Sequence, residues 1–232
     1  MAVIWIVLII CGYLLGSVPI SLLAARARGI DLRKQGTHQV GAGNLWRTTS
    51  RKLGLAVGIF DFGKGAIMMW IGSMSGLDAG QQMVVGLAAV LGHNWPVFLR
   101  FHGGRGAATS LGIVIFNPVL NNVSPWPSVI GVAAVVVLTI IIRSSAVPVL
   151  LGAASLPVTT WIFDDEVAVI MAYLAMFLIL VVKRLTAQAM PEDIKIGKTQ
   201  LIFNRLLFDR DIRDRTTWMH RKPIKELENL DD

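Results

Sequence analysis

Charge is scarce in this chain. Asp, Glu, Lys and Arg make up only 16% of its 232 residues, where a soluble domain carries about 25%. That shortage excludes an ordinary soluble domain. With 54% hydrophobic residues and a mean hydropathy of +0.61, the composition is that of an integral membrane protein. Cysteine is nearly absent: Cys11 stands alone within an apolar run, so no disulfide can form inside the chain and no thiolate metal site is expected. The histidines are scattered without ligand spacing, so neither a metal nor another cofactor is expected. No convincing Ser-His-Asp set is present either, which argues against a covalent protein nucleophile. The net charge of +7 would suggest nucleic acid in a soluble protein. Here membrane topology accounts for it, and no nucleic-acid partner is expected.

What the chain has instead is apolar length. A span needs about 20 apolar residues. Runs over 2–25, 53–77, 79–99, 144–163 and 167–182 meet or approach that length. The uncharged stretch 106–142 is too long for one crossing. Its middle, NPVLNNVSPWP, holds three prolines and three asparagines, so it splits into a short fourth span and a fifth. The expected fold is an all-α integral membrane protein of about seven transmembrane helices over 1–185, with a cytoplasmic tail over 186–232. Loops after spans one, three, five and seven carry the basic residues, among them Arg26, Arg51, Lys52, Arg143 and Arg184. Loops after spans two and six carry Asp78, then Asp164, Asp165 and Glu166. Positive residues stay inside, so the N-terminus is expected outside and the C-terminus in the cytoplasm. The first run lacks a preceding basic residue and is long for a signal peptide, so it is expected to be retained. In the tail, QLIFNRLLF is expected as a short interfacial helix and DRDIRDR as a solvated segment. GxxxG spacing at Gly12/Gly16, Gly54/Gly58 and Gly76/Gly80 is read as close helix packing.

Three polar clusters fall at cytoplasmic positions of this topology. In RKQGTHQVGAGNLWRTTSRK, residues 33 to 52, the glycines permit tight turns, while Thr37, Asn44 and Arg47 offer hydroxyl, amide and guanidinium donors. DFGKG places Asp61 and Lys64 three residues apart on one helix face, as a structural ion pair or as a substrate contact. GHNWPVFLRFHGGRGAAT, residues 92 to 109, is the most informative. Pro96 ends regular helix, and a Gly-Gly-Arg-Gly loop then leads into a span whose first turn has free N–H groups. Glycines let backbone N–H groups close on a small anion, a helix N-terminus favours it, and arginine adds a planar donor fork. These residues point to phosphate handled at a membrane surface.

On these motifs, residues 1 to about 185 resemble the bacterial acyl-phosphate:glycerol-3-phosphate acyltransferase family (PlsY-type), whose members carry three cytoplasmic motifs in this order. The third family motif, GHxWPVFxxFKGGKGxAT, is matched closely; the second is matched through Asp61, Lys64 and Gly65, and the first through Gly36, Gly41, Ala42, Asn44 and Arg47. Thr37 stands at the family's serine, His38 at a glycine, Gln39 at an asparagine, Gly43 at a threonine, and His102 and Arg105 at lysines. Lys183 and Thr186 stand where the family usually has a His-x-x-Asn pair, and the tail from Met190 is longer than is usual.

The resemblance implies a bacterial inner-membrane enzyme with its active site facing the cytoplasm. It would move a fatty acyl group from acyl phosphate to glycerol 3-phosphate, giving lysophosphatidic acid and phosphate, with the acyl chain among membrane lipids. Acyl phosphate is already activated, so the protein need only hold two phosphates together and stabilise developing charge. Thr37, Arg47 and Arg105 are the expected catalytic residues. Gly36, His38, Asn44, Lys64, His93, Gly103, Gly104, Gly106, Thr109 and Lys183 are expected to bind substrate. Arg105 and its glycines would cradle one phosphate, Arg47 would take the other, and Thr37 and Asn44 would orient the glycerol. The proton of the attacking hydroxyl could go to a phosphate oxygen, His93 or His38. Competing readings are a noncatalytic paralogue that binds a lipid phosphate or regulates a partner, a small anion transporter, and a structural scaffold.

Overall fold

The computed structural model describes residues 1–163, 166–186 and 196–219, and every regular element within them is helical. Asp164 and Asp165 of the expected acidic loop, and the tail beyond residue 219, lie outside the described residues. The first apolar run forms α1 (Ala2–Ser17) and α2 (Ile20–Arg26). One continuous span was expected there. Pro19 lacks a backbone N–H, and the chain breaks between the two helices.

After a loop and the short α3 (Ala42–Thr48) come α4 (Arg51–Met74) and α5 (Ala79–Asn94). The helix ends before Trp95-Pro96, as the proline requires, and a single 3-10 turn follows. The long uncharged stretch gives α6 (Ala107–Leu120) and α7 (Trp126–Ile142). The break falls at Asn121, and Pro118 is carried inside the last turn of α6. α8 (Ala146–Ile162) and α9 (Val167–Leu185) follow. Among the described residues, four helical segments are long and apolar enough to cross a membrane: 2–26, Arg51–Met74, 79–99 and Val167–Leu185. α6, α7 and α8 are apolar and shorter. Their outward residues, such as Val119, Ile140 and Trp161, are exposed, as they would be facing lipid.

Small residues set the closest approaches. A Cβ on Gly16 of α1 would lie 2.2 Å from the Ala89 carbonyl oxygen of α5, so that pair admits no side chain. The same holds between Gly65 of α4 and the Thr109 carbonyl oxygen of α6, at 2.2 Å. The Gly12/Gly16 spacing thus is a helix seam. The Gly76/Gly80 spacing is not: Gly76 sits in a turn at φ +73°, outside any helix, and only Gly80 presses on a neighbour, Ala168. The core gathers Met69, Met83, Val90, Ile113, Leu156 and Tyr173 from α4, α5, α6, α8 and α9.

The tail departs most from expectation. α10 (Lys198–Phe208) folds against α8 and α9, and the short α11 (Arg215–Met219) follows it. Arg184 donates to Leu206 O at 2.7 Å and Ala146 O at 2.5 Å, and Arg205 donates to Leu185 O at 2.5 Å and to Asp211 at 2.6 Å. DRDIRDR was expected to be solvated, yet Asp211 is buried and Asp209 is paired inside the structure. Because α1 and α5 meet backbone to backbone, Gly16→Val should cost about 1–3 kcal/mol through overpacking. Thermal unfolding of the detergent-solubilised variant checks this, and an unchanged midpoint would count against a rigid seam.

Candidate active site

The break in the first apolar run creates the site's foundation. With Pro19 unable to donate, the last carbonyls of α1 need other partners. Lys64 supplies them, donating from Nζ to Val18 O at 2.8 Å and Gly16 O at 3.2 Å. Its charge is met by Asp61, one turn earlier on α4, at 3.0 Å. Lys64 is only 2% exposed. Expected as a substrate ligand or a structural partner, it lies off the cavity wall and is committed to structure. Asp61 has a second neighbour, with His93 Nδ1 of α5 standing 3.4 Å from the same carboxylate oxygen. An N–H donated along that line fixes the neutral tautomer and leaves Nε2 as the ring's basic nitrogen.

The glycine loop folds back onto this end of α5. Gly104 N donates to His93 O at 3.0 Å. A Cβ on Gly104 would lie 2.2 Å from His93 Nε2. The glycine therefore lets the loop close on the imidazole and delivers Arg105 to its place. There the guanidinium donates to Lys183 O at 3.0 Å and pairs through Nε with Asp209 of the tail at 3.0 Å. The Gln39 amide oxygen, oriented by the hydrogen-bond pattern, accepts from Nη2 at 2.6 Å.

The first loop is organised by Asn44. Its amide nitrogen faces Leu32 O, Gln35 O and Gln39 O at 3.0–3.1 Å, and its oxygen accepts from Thr37 N at 3.0 Å. Expected to orient glycerol, Asn44 instead spends its polar atoms holding the loop. Gly36 takes φ +62° beside it. His38 adopts φ +59°, a backbone state costing a non-glycine residue about 1 kcal/mol, and is buried away from the cavity.

These pieces surround one cavity of about 750 Å³. Of the expected residues, Thr37, Asn44, Arg47, His93, Gly104, Arg105 and Gly106 line it. Gly36, His38, Lys64, Gly103, Thr109 and Lys183 do not. Thr109 is fully buried against Gly65, and Gly103 packs on Pro96. Lys183 turns its ammonium to Asn94 O and the face of Trp95. Ala107, Val149 and Leu180 add apolar wall. Arg143 and Arg184, expected as topological charges, and Asp209, Arg210 and Arg215 of DRDIRDR, expected to be solvated, also line the cavity. With Arg47 and Arg105 these arginines form a cluster spread over five separate segments, which has no linear signature.

The arrangement puts cations, apolar side chains and a histidine oriented by a carboxylate around one cavity. Removing one partner of a buried ion pair costs about 3–5 kcal/mol, so Asp61→Ala should destabilise the protein strongly. The double variant Asp61→Leu/Lys64→Met should recover much of the loss in denaturation experiments.

Residues 6–189 match the family model described as glycerol-3-phosphate acyltransferase. The chain is 39% identical to glycerol-3-phosphate acyltransferase 4 of Dehalococcoides mccartyi (strain CBDB1), over 99% of each chain. The fold matches a crystal structure of PlsY (YgiH), an integral membrane glycerol 3-phosphate acyltransferase in its glycerol 3-phosphate form. That match has a TM-score of 0.72 and 28% identity, and covers 98% of this chain and 99% of that one. The lysophosphatidic acid form of the same enzyme matches with a TM-score of 0.68 and 29% identity, covering 78% of this chain and 87% of that one. A family match over most of the length, a full-length relative and a common helical architecture lead to one assignment: the chain belongs to the glycerol-3-phosphate acyltransferase family.

Proposed function

We propose that this protein is a seven-span bacterial inner-membrane enzyme, N-terminus outside, which acylates glycerol 3-phosphate from acyl phosphate at its cytoplasmic face. The observation that carries the reading is the cavity. Arg47, Arg105 and the loop from Gly104 to Gly106 line it together with apolar residues of α6, α8 and α9. A phosphate and a fatty chain on one donor need that adjacency. Further support comes from the full-length relative and from the crystal structures described above.

In this reading the acyl phosphate lays its chain along Leu180 and Val149 and its phosphate against Arg105 and the start of α6. Glycerol 3-phosphate enters beside Arg47. Its hydroxyl oxygen attacks the carbonyl carbon, a new ester C–O bond forms, and the bond from that carbon to the bridging oxygen of the phosphate breaks. Inorganic phosphate leaves with the bonding electrons. The hydroxyl proton passes to His93 Nε2, which Asp61 holds in the accepting tautomer. No covalent enzyme intermediate is required, because the mixed anhydride is already activated. The arginines act by holding both anions near one another and by spreading the charge that develops.

Purified protein supplied with palmitoyl phosphate and glycerol 3-phosphate should release phosphate and lysophosphatidic acid; release no faster than spontaneous hydrolysis would refute the reading. Arg105→Ala and Arg47→Ala should each lower kcat/KM by about 100-fold or more without loss of fold. Arg105→Lys, which keeps the charge and loses the fork, should retain only part of the rate.

A further inference from the structure

The tail segment 208–219 lies beyond residue 189, where the family match ends, yet it forms part of the cavity wall. Phe208, Asp209, Arg210, Arg215 and Trp218 all line it. The segment is not loosely laid there. Asp209 is paired with Arg105, Asn204 donates to Asp211 O at 2.7 Å, and Trp218 is buried.

Charge across the cavity is unbalanced. Its two lining carboxylates are already engaged, Asp61 by Lys64 and Asp209 by Arg105. Arg184 is spent on backbone carbonyls. Arg47, Arg143, Arg210 and Arg215 remain, without an ion pair among the described residues, and of these Arg210 and Arg215 belong to the tail. Arg210 stacks its guanidinium 5.4 Å from the Phe208 ring centre, and its Nε is buried with no hydrogen-bond partner among the described residues. We propose that Arg210 and Arg215 of the tail join Arg47 in a second anion subsite, which takes the phosphate of the water-soluble acceptor.

This deepens the acyltransferase reading and rests on it for the identity of the acceptor. The division of labour follows from position. Arg105 donates to Lys183 O, one turn along α9 from Leu180, so its end of the cavity adjoins the apolar wall. Arg47 and Arg215 are exposed, so their end is the one a small polar molecule reaches from water. Partial desolvation in the cavity, and then the charge of Arg215, lower the Arg47 guanidinium from its ordinary range, and the same two causes act on Arg210. Cations this close repel one another, and a dianion between them offsets that repulsion.

The test uses full-length protein in lipid nanodiscs. Glycerol 3-phosphate is titrated calorimetrically, and turnover is followed against each substrate separately. Arg215→Ala, a change at an exposed side chain on a five-residue helix, should weaken glycerol 3-phosphate binding and raise its KM by about tenfold, or 1.4 kcal/mol. Its KM for acyl phosphate and its kcat should stay within about twofold of wild type, a change under 0.5 kcal/mol. Arg215→Lys should recover part of the affinity, and Arg210→Ala should repeat the pattern if it folds. Unchanged binding and KM in Arg215→Ala would overturn the proposal, as would an equal loss for both substrates. If wild-type protein shows no turnover, the acyltransferase reading fails by itself. The calorimetric comparison then still decides the subsite, because weakened glycerol 3-phosphate binding in the variant supports it and equal binding refutes it.

Discussion

A buried lysine ammonium holds the active-site end of this protein together. Lys64 caps the carbonyls left open where α1 breaks, pairs with Asp61, and through that carboxylate reaches His93 at the end of α5. Three separate helices are thereby fixed at one depth. Charges in an apolar setting persist only when every partner is in place, so the geometry of the break, the ion pair and the imidazole is one linked arrangement. The glycine loop then closes on His93, and Arg105 arrives where the first loop, α9 and the tail converge. Arg105 is thus placed by a chain of contacts that begins at a proline.

Much of this was legible in the residues. The apolar runs read directly because a lipid-facing helix needs almost nothing except length and hydropathy, and Trp95-Pro96 marked the end of α5 for steric reasons. Arg105 and Gly104 stood out because a glycine loop with a guanidinium has few structural uses at a membrane edge. Other features were hidden for identifiable reasons. The break at Pro19 was masked by continuous hydrophobicity, since hydropathy records where a chain sits and not whether its helix is intact. Asn44 resembled a ligand residue because an amide that holds a loop and an amide that holds a substrate have the same composition. His38 occupies a left-handed backbone state that its identity does not advertise.

The tail was the hardest segment to read. A run of alternating acids and bases has the same composition whether it floats in water or folds into a wall. What decides is the location of its partners, and those of Asp209 and Arg205 lie far away in the chain, at Arg105 and Leu185. No periodicity reports contacts of that kind. Arg143 and Arg184 were obscured differently: residues that fix orientation can also face a site, and a charge count does not separate the two roles.

The saturation of Arg105 has a bearing on how the site fills. Its side chain is only 18% exposed, with a carboxylate, an amide oxygen and a backbone carbonyl around the guanidinium. In the proposed reading an incoming oxyanion would not occupy a vacant seat; it would trade places with an internal one, and the tail would register the trade because Asp209 is part of it. Occupancy at the lipid edge and the posture of the last helices are in that sense two readings of a single exchange.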